Sequence, residues 1–524
     1  MAEAGSNFEG FIIESGDEEE EVDIQDEGED QYRLVAPVEK DSSDEEEFEF
    51  EDAGDGWFHD IAIQNRFRFD DVHGVSYHVQ NNCKEPIDFY KLFLNDETLS
   101  LIVRETNRYG CSKYTDWVPT DKEEISKLIA LTLQMGIVRL PSLRSYWSSD
   151  PIYGCNLIGS NVMPRSRFEK LMTSLHLCDN SASDGTERLY KISEFLRLFN
   201  KACQDSFRPG KEVCVDESVV PFRGRIVFRQ YIPSKRHRYG IKLFKMCTKG
   251  GYTYRTIVYA GRQAQKRFAT SVAEEGVMAL MEGLLDSGRV LFTDNYYTSI
   301  PLAETLIMRK TNLIGTVRRN RKGLPSTVVG QKLKKGQHVA QQKQNGVLVL
   351  KWRDKRDVLM LSTMHDDSLN ASGKPNLIED YNKGKSFIDI SDQMASYTPY
   401  VRRTMKWYIR IFFYLVTQAA VINSWRLFCD VTGSKVGITN FKMSVIKSIL
   451  PLEETQSPAP RRILEEIEGQ KRVIERRCVG CYMKNSKQVN ATEARRKAKR
   501  VKTRCSKCKT HLCLECFQLR HTKC

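Results

Sequence analysis

No run of hydrophobic residues in this 524-residue chain is long enough to read as a bilayer span. The longest, IFFYLVTQAAVI over 411–422, carries Gln418 and is flanked by Arg410 and Asn423. A span needs about 20 apolar residues, so this segment reads as a buried helix and no membrane partner is expected. The N-terminus lacks the basic start and apolar run of a secretory leader. Without such a leader, the fifteen cysteines point to metal binding rather than to disulfides.

Basic charge is nearly missing from the first 60 residues, which hold 24 Asp and Glu against 2 Lys and Arg. Runs such as DEEEE and DEEEFEFED cannot bury enough apolar surface to fold alone, so residues 1–60 are expected to be a disordered acidic tail. Ser15, Ser42 and Ser43 each have an acidic residue three positions on, the pattern an acidophilic kinase would take. A plain solvated tail explains them as well. The other 464 residues hold 78 Lys and Arg against 44 Asp and Glu. A body this basic fits a polyanion partner, most simply nucleic acid, and the tail could compete with that partner.

What is present falls into a sequence of stretches. Over 85–210, the segments PIDFYKLFL, KEEISKLIALTLQMGIV, RSRFEKLMTSLHL and SEFLRLFNKACQDSF space their apolar residues at three and four, as helices with one buried face do. Over 211–320 the pattern changes. KEVCVDESVV, RIVFRQYIP, YGIKLFKMCT and YTYRTIVYAG read as strands, SVAEEGVMALMEGLL as a helix, RVLFTDN as a short apolar strand, and TNLIGTVRRNRKG as a strand entering a basic loop. Residues 321–375 are polar and poorly periodic apart from VLVLKWRDKRDVLMLST, which reads as a hairpin. The stretch 376–428 ends in the helical segment MKWYIRIFFYLVTQAAVINSWRLF, where Trp407 reads as core. A charged, proline-bearing linker follows over 451–474.

Four aspartates carry the chemistry. Asp216 lies in VCVDESVVPFRGR, Asp294 in RVLFTDNYYTSIPL, and Asp389 and Asp392 in FIDISDQM. Carboxylates drawn from distant parts of a chain are how a protein holds Mg²⁺, a hard ion that prefers oxygen donors. Two such ions can clamp the attacking and leaving oxygens of a phosphoryl transfer. Asp389 and Asp392 are spaced i, i+3 and share one face of a helix, so one could ligate while the other supports it. A single one of these residues would be read as a cap or a surface charge.

The C-terminus holds Cys478-x2-Cys481, then Cys505-x2-Cys508, Cys513-x2-Cys516 and His521-x2-Cys524. Eight donors in four pairs match two tetrahedral Zn²⁺ sites over 475–524. A cross-brace would put pairs one and three on one ion and pairs two and four on the other. His511 is an alternative donor outside the pair pattern. Ubiquitin-ligase and histone-reader fingers share this spacing, but the basic run RRKAKRVKTR, with Arg495, Arg496 and Lys497, favours nucleic acid or a nuclear localisation signal.

Taken together, the motifs VDESVVPFRGR, YIPSKRHRYGIK, FTDNYYTSIPL, IGTVRRNRKGLP, SGKPNLIEDYNKGKSFIDISDQM and RRTMKWYIRIFFYLVTQAAVINSW, with the cysteine array, resemble the piggyBac family of DNA transposases over roughly 85–524. The resemblance implies a multidomain α+β fold. An RNase H-like catalytic domain (211–320 and 376–395), with an insertion over 321–375, is embedded in a helical dimerisation and DNA-binding domain (85–210 and 396–450). It implies catalytic Asp216, Asp294, Asp389 and Asp392. It also implies a nuclear homodimer that binds terminal inverted repeats, cuts through a hairpin and joins at TTAA. The family usually has a small residue and Val before its third aspartate, where this chain has Phe387-Ile388. A domesticated, DNA- or chromatin-binding relative without transposition is the competing expectation, and a ubiquitin ligase or histone reader built on the zinc module comes last. Basic residues near the carboxylates could hold DNA phosphates: Arg223, Arg225, Lys235, Arg236, His237, Arg238, Arg318, Arg319, Arg321, Lys322, Arg402, Arg403 and Lys406. Each could equally be a solvated surface charge.

Overall fold

The computed structural model describes residues 39–40, 56–64, 67–153, 161–182, 186–232, 238–261, 271–400, 404–450, 463–470 and 474–521. Ser15, Ser42, Ser43, Lys235, Arg236, His237, Arg402, Arg403 and Cys524 lie outside these residues. The chain divides into two compact units, Met1–Pro451 and Leu452–Cys524.

A mixed sheet organises the first unit. Its strands are β1 (Glu212–Pro221), β2 (Tyr239–Thr248), β3 (Thr253–Val258), β4 (Val290–Thr293), β5 (Asn312–Thr316), β6 (His338–Lys343), β7 (Leu348–Arg353) and β8 (Asp357–Ser362). The spatial order is β3-β2-β1-β4-β5-β8-β7-β6. β1, β2 and β3 pair antiparallel, while β4 lies parallel between β1 and β5. The expected hairpin is β7–β8. It gains a third strand, β6, whose polar HVAQQK gave no alternation signal, and the meander extends the same sheet from the edge of β5. Trp57–Phe58 then pairs with β6. Of the described residues of the expected strand RIVFRQYIP, only Gln230–Tyr231 form a strand.

The helices form where their apolar stripes find cover. α1 (Pro86–Lys91), α2 (Asp96–Lys113), α3 (Lys122–Ile137), α4 (Arg165–Ser174) and α5 (Tyr190–Ser206) build a helical body. The Asn95 and Asp121 side chains cap α2 and α3 by accepting from backbone N–H groups in the first turn. α6 (Val272–Leu280) and α7 (Ile300–Met308) cover the sheet face that carries Val213, Val215 and Met246. α8 (Asn376–Gly384) and α9 (Ser386–Ala395) cover the opposite face, with Cys214, Cys247 and Phe292. The 26-residue α10 (Trp407–Thr432) contains a π-helical turn at Leu415–Ala419 and runs through the helical core, followed by α11 (Ile438–Ile449). α10 is long and apolar enough to cross a membrane by composition, and 78% of its most apolar window is buried inside the protein.

Close packing fixes α9 on the sheet. A Cβ at Gly384, the last residue of α8, would lie 2.3 Å from the Phe292 ring. The buried Phe387 and Ile388 pack on the same side, Phe387 edge-on to Phe292 at 6.3 Å between ring centroids. Phe387-Ile388 thus seats the helix that carries Asp389. Gly384→Ala should cost about 1–3 kcal/mol of stability through overpacking, measured by chemical denaturation; an unchanged midpoint would show that Phe292 moves aside freely.

The second unit is small. Leu464–Glu466 pairs with Thr503–Cys505, and Arg476–Arg477 pairs with Arg500–Val501. Around these ribbons stand α12 (Val479–Asn485), α13 (Ala491–Lys497) and α14 (Leu514–His521).

Candidate metal centres

The carboxylate site forms at a fork between two parallel strands. The last rung joining β1 to β4 pairs Val215 with Thr293. The next residue on each chain is an aspartate, Asp216 on β1 and Asp294 just past β4. Here β4 ends while β1 continues along β2, so the two carboxylates face the gap that opens between them. Glu217 joins them: one oxygen each of Asp216, Glu217 and Asp294 lie within 4.8 Å of one another. Strand alternation argued for the opposite face for Glu217, so sequence reading missed it. The adjacent Asp-Glu pair was the only signal.

Backbone groups and tyrosines hold the three in place. The Glu217 N–H donates to Asp216 Oδ1 at 2.7 Å, and the Tyr296 N–H donates to Asp294 Oδ1 at 2.9 Å. The buried Tyr297 hydroxyl donates to Glu217 Oε2 at 3.3 Å. The Asn295–Tyr296 turn is itself clamped. Arg321 donates to the carbonyls of both residues, and Arg318 Nε donates to Asn295 Oδ1 at 3.2 Å.

Burial, then the charge of Glu217 and of Asp294, pushes the Asp216 carboxyl up to about 8. Burial and Glu217 raise Asp294 as well. Three acidic groups crowded at a half-buried fork are a poor arrangement for carboxylates alone and a good one around a divalent cation. The donor set therefore fits Mg²⁺. Binding must displace the Asp216 proton, so adding Mn²⁺ to the protein at pH 6.5 should release protons, and at pH 9 few or none. Calorimetry in buffers of different ionisation enthalpy would measure this, and equal release at both pH values would remove Asp216 from the site.

The other two aspartates are placed differently. Asp389 is exposed on α9, and its carboxylate is outside the group of three. It still stands near them. The buried Cys214 thiol is pushed up by burial and by the charges of Asp216, Cys247, Asp389 and Asp294. Asp392 turns toward the sheet. It accepts from Ser218 Oγ at 2.7 and 2.9 Å and from Lys245 Nζ at 3.1 Å. Neither Ser218 nor Lys245 stood out in the sequence.

In the second unit, Cys478, Cys481, Cys513 and Cys516 form one donor group, and Cys505, Cys508 and His521 form another. Pairs one and three thus meet, and so do pair two and the described half of pair four, as a cross-brace requires. The sulfur–sulfur distances are 3.8 Å for Cys478–Cys513, 3.8 Å for Cys481–Cys513 and 3.7 Å for Cys481–Cys516. A tetrahedron with Zn–S bonds of about 2.3 Å has edges of about 3.8 Å, so the first set fits zinc. Cys508 Sγ and His521 Nε2 are 3.7 Å apart. Backbone N–H groups of Cys481 and Cys513 donate to Cys478 Sγ at 3.4 and 3.3 Å, which favours its thiolate. His511 belongs to neither group.

The basic residues divide by what they touch. Arg223, Arg225, Arg238, Arg319, Lys322, Arg495, Arg496 and Lys497 are exposed. Lys406 instead donates to the Thr173 carbonyl at 3.0 Å and lies over the Tyr109 ring. Trp407 packs edge-on against Phe228.

The sequence profile described as Transposase IS4 matches residues 85–425. Human PiggyBac transposable element-derived protein 3 is 27% identical over 471 residues, covering 84% of this chain and 77% of that protein. Human PiggyBac transposable element-derived protein 2 is 24% identical over 364 residues, covering 65% of this chain and 61% of that protein. A piggyBac transposase solved by cryo-EM as a synaptic complex with hairpin DNA superposes with a TM-score of 0.67 at 25% identity. The alignment covers 85% of this chain and 98% of that one. With the profile spanning the carboxylate fork, α9 and most of α10, this chain belongs to the piggyBac family of transposases.

Proposed function

We propose that the chain is a DNA transposase that cuts and joins strands by metal-assisted phosphoryl transfer. One observation carries this reading: Asp216, Glu217 and Asp294 converge at the β1–β4 fork of a piggyBac-family chain. The strand order β3-β2-β1-β4-β5, with two helices on each face, supports an RNase H-like catalytic domain. Asp216, Glu217 and Asp294 would hold Mg²⁺, with Asp389 on α9 as a further carboxylate. When bound, two such ions supply Lewis acidity to the attacking and leaving oxygens of an in-line displacement. The chain's own part is to fix the carboxylates before substrate arrives. Glu217 N–H and Tyr296 N–H set the oxygens, and Arg318 and Arg321 hold the turn that presents Asp294. The exposed Arg223, Arg225, Arg319 and Lys322 would take DNA phosphates.

In this reading 85–210 and 396–450 form the dimerisation and DNA-binding body, and 321–375 is the insertion. Residues 475–524 bind two Zn²⁺ and read the transposon end, with Arg495, Arg496 and Lys497 on phosphates. The protein works in the nucleus as a homodimer on terminal inverted repeats, passes through a hairpin and joins at TTAA. The acidic tail is a substrate for an acidophilic kinase. The likeness to a synaptic complex with hairpin DNA supports the DNA partner.

A plasmid excision assay with the repeats flanking the chain's own gene tests the proposal. The expected result is excision with TTAA restored seamlessly in the sequenced donor. A second reading, a DNA- or chromatin-binding protein without transposition, draws on two observations. The human relatives are transposable element-derived proteins, and Asp389 lies outside the carboxylate group. Tight binding to the same repeats without excision would favour it.

A further inference from the structure

Lys245 is the most unusual charged group near the fork. It lies on β2 directly across the antiparallel pair from Asp216 and is 1% exposed. A lysine at this depth needs strong acceptors to keep its proton. Lys245 Nζ has three oxygens in reach: Asp392 at 3.1 Å, Ser391 Oγ at 3.0 Å and Tyr414 OH at 3.2 Å. Two of these belong to α9 and one to α10. One ammonium thus joins the strand beside Asp216 to the helix that carries Asp389 and to the long core helix.

Ser218 completes the arrangement from the other strand. It is two residues beyond Asp216 on β1, on the same face, and its hydroxyl donates to both Asp392 oxygens. Asp392 is therefore held from β1 and β2 at once. One turn back on α9, at i−3, is Asp389. Burial, the largest influence, works against the Lys245 charge; Asp392, Tyr414 and Cys247 together outweigh it and keep the ammonium charged. Asp392 accepts from Lys245 and Ser218, while the metal-type group of carboxylates forms without it.

We propose that Lys245 is a positioning residue for the metal centre: through Asp392 and Ser218 it fixes α9 against β1 and so sets where Asp389 stands relative to Asp216 and Asp294. Its ammonium also offsets one negative charge in a region crowded with five carboxylates: Asp216, Glu217, Asp294, Asp389 and Asp392. The proposal rests on the metal-centre reading above.

The test measures Mn²⁺ binding to the full-length protein by electron paramagnetic resonance, with zinc kept in the buffer. The proteins compared are wild type, Lys245→Met, Ser218→Ala and Asp216→Asn, each checked for folding by circular dichroism. Outer partners of metal ligands typically matter by about 10–100-fold in affinity. Lys245→Met should lower Mn²⁺ affinity by an amount in that range, and Ser218→Ala by less in the same direction. A purely structural role would lower the melting temperature and leave the affinity, measured well below melting, where it was; that result overturns the proposal. A rise in affinity in Lys245→Met also overturns it, since Asp392 would then be a ligand that Lys245 withholds. Should Lys245→Met not fold, Ser218→Ala decides alone, an unchanged affinity counting against the proposal. If wild type binds no Mn²⁺ that Asp216→Asn removes, the metal-centre reading itself fails. That result is distinct from wild type binding with indifferent Lys245 and Ser218 variants.

Discussion

Asp216→Asn should lower strand cleavage by about a thousandfold or more while leaving duplex affinity nearly unchanged. Losing several kcal/mol of charge stabilisation in the transition state corresponds to that factor, at about 1.4 kcal/mol per tenfold. Asp216 sits at the inner end of the fork and lies among the three carboxylates. Asparagine keeps its size and loses the hard anionic donor. In the proposed reading exposed arginines and lysines elsewhere hold the DNA, so a gel shift should not move. Cleavage surviving in Asp216→Asn would end the assignment.

The same substitution has a second, opposite consequence. In the metal-free protein the Asp216 carboxyl is raised to about 8 by burial and its acidic neighbours, against about 3.9 in an unfolded chain. Folding therefore favours its protonated form. The stability it contributes is complete below pH 4 and is lost as pH rises through 8. Metal-free Asp216→Asn should melt higher than wild type at pH 8.5, and the difference should shrink toward pH 4. Added Mn²⁺ should reverse the order at pH 8.5 by stabilising wild type alone. Equal melting at every pH and metal level would mean that the fork is not a charged, metal-accepting site.

Stripping metal from the second unit should unfold it. Structural zinc in small modules is worth about 10–16 kcal/mol, and little else holds residues 474–521 together. Its described residues form two short ribbons and three helices, and their few buried apolar side chains include Ala494, Ala498 and Leu512. Chelation should therefore make it sensitive to protease while the sheet and helical body of the first unit stay resistant. Elemental analysis should find two zinc ions per chain. Cys481→Ser should remove one of them, and Asp216→Asn should remove neither. A module that stays protease-resistant without metal, or Cys481→Ser protein that keeps both ions, would refute the cross-brace zinc sites.

The sequence by itself determined whatever depends on local spacing. VCVDESVV and YGIKLFKMCT specify β1 and β2 because their apolar and β-branched residues suit a sheet covered on its faces. The Cys-x2-Cys pairs announce their own partners, because a tight turn brings two thiols to one point. Asp216 was visible as a carboxylate inside an apolar strand, and Asp294 because it stands where one ends.

Tertiary structure decided the rest, because it turned on which strands lie side by side. β6 carries no apolar alternation and joins the sheet only because β7 offers it a free edge. Glu217 meets Asp294 where β4 has stopped, at Thr293 opposite Val215, and left the β1 edge open. Asp392 pairs with Lys245 because β2 lies beneath α9, which no spacing along the chain encodes. Arg321 looked like one more basic loop residue, and the fold sets it on the carbonyls of the Asp294 turn. The chain's periodicities and spacings name its strands, helices and cysteine pairs, and the long-range pairing of β1, β2 and β4 selects which charges share a site.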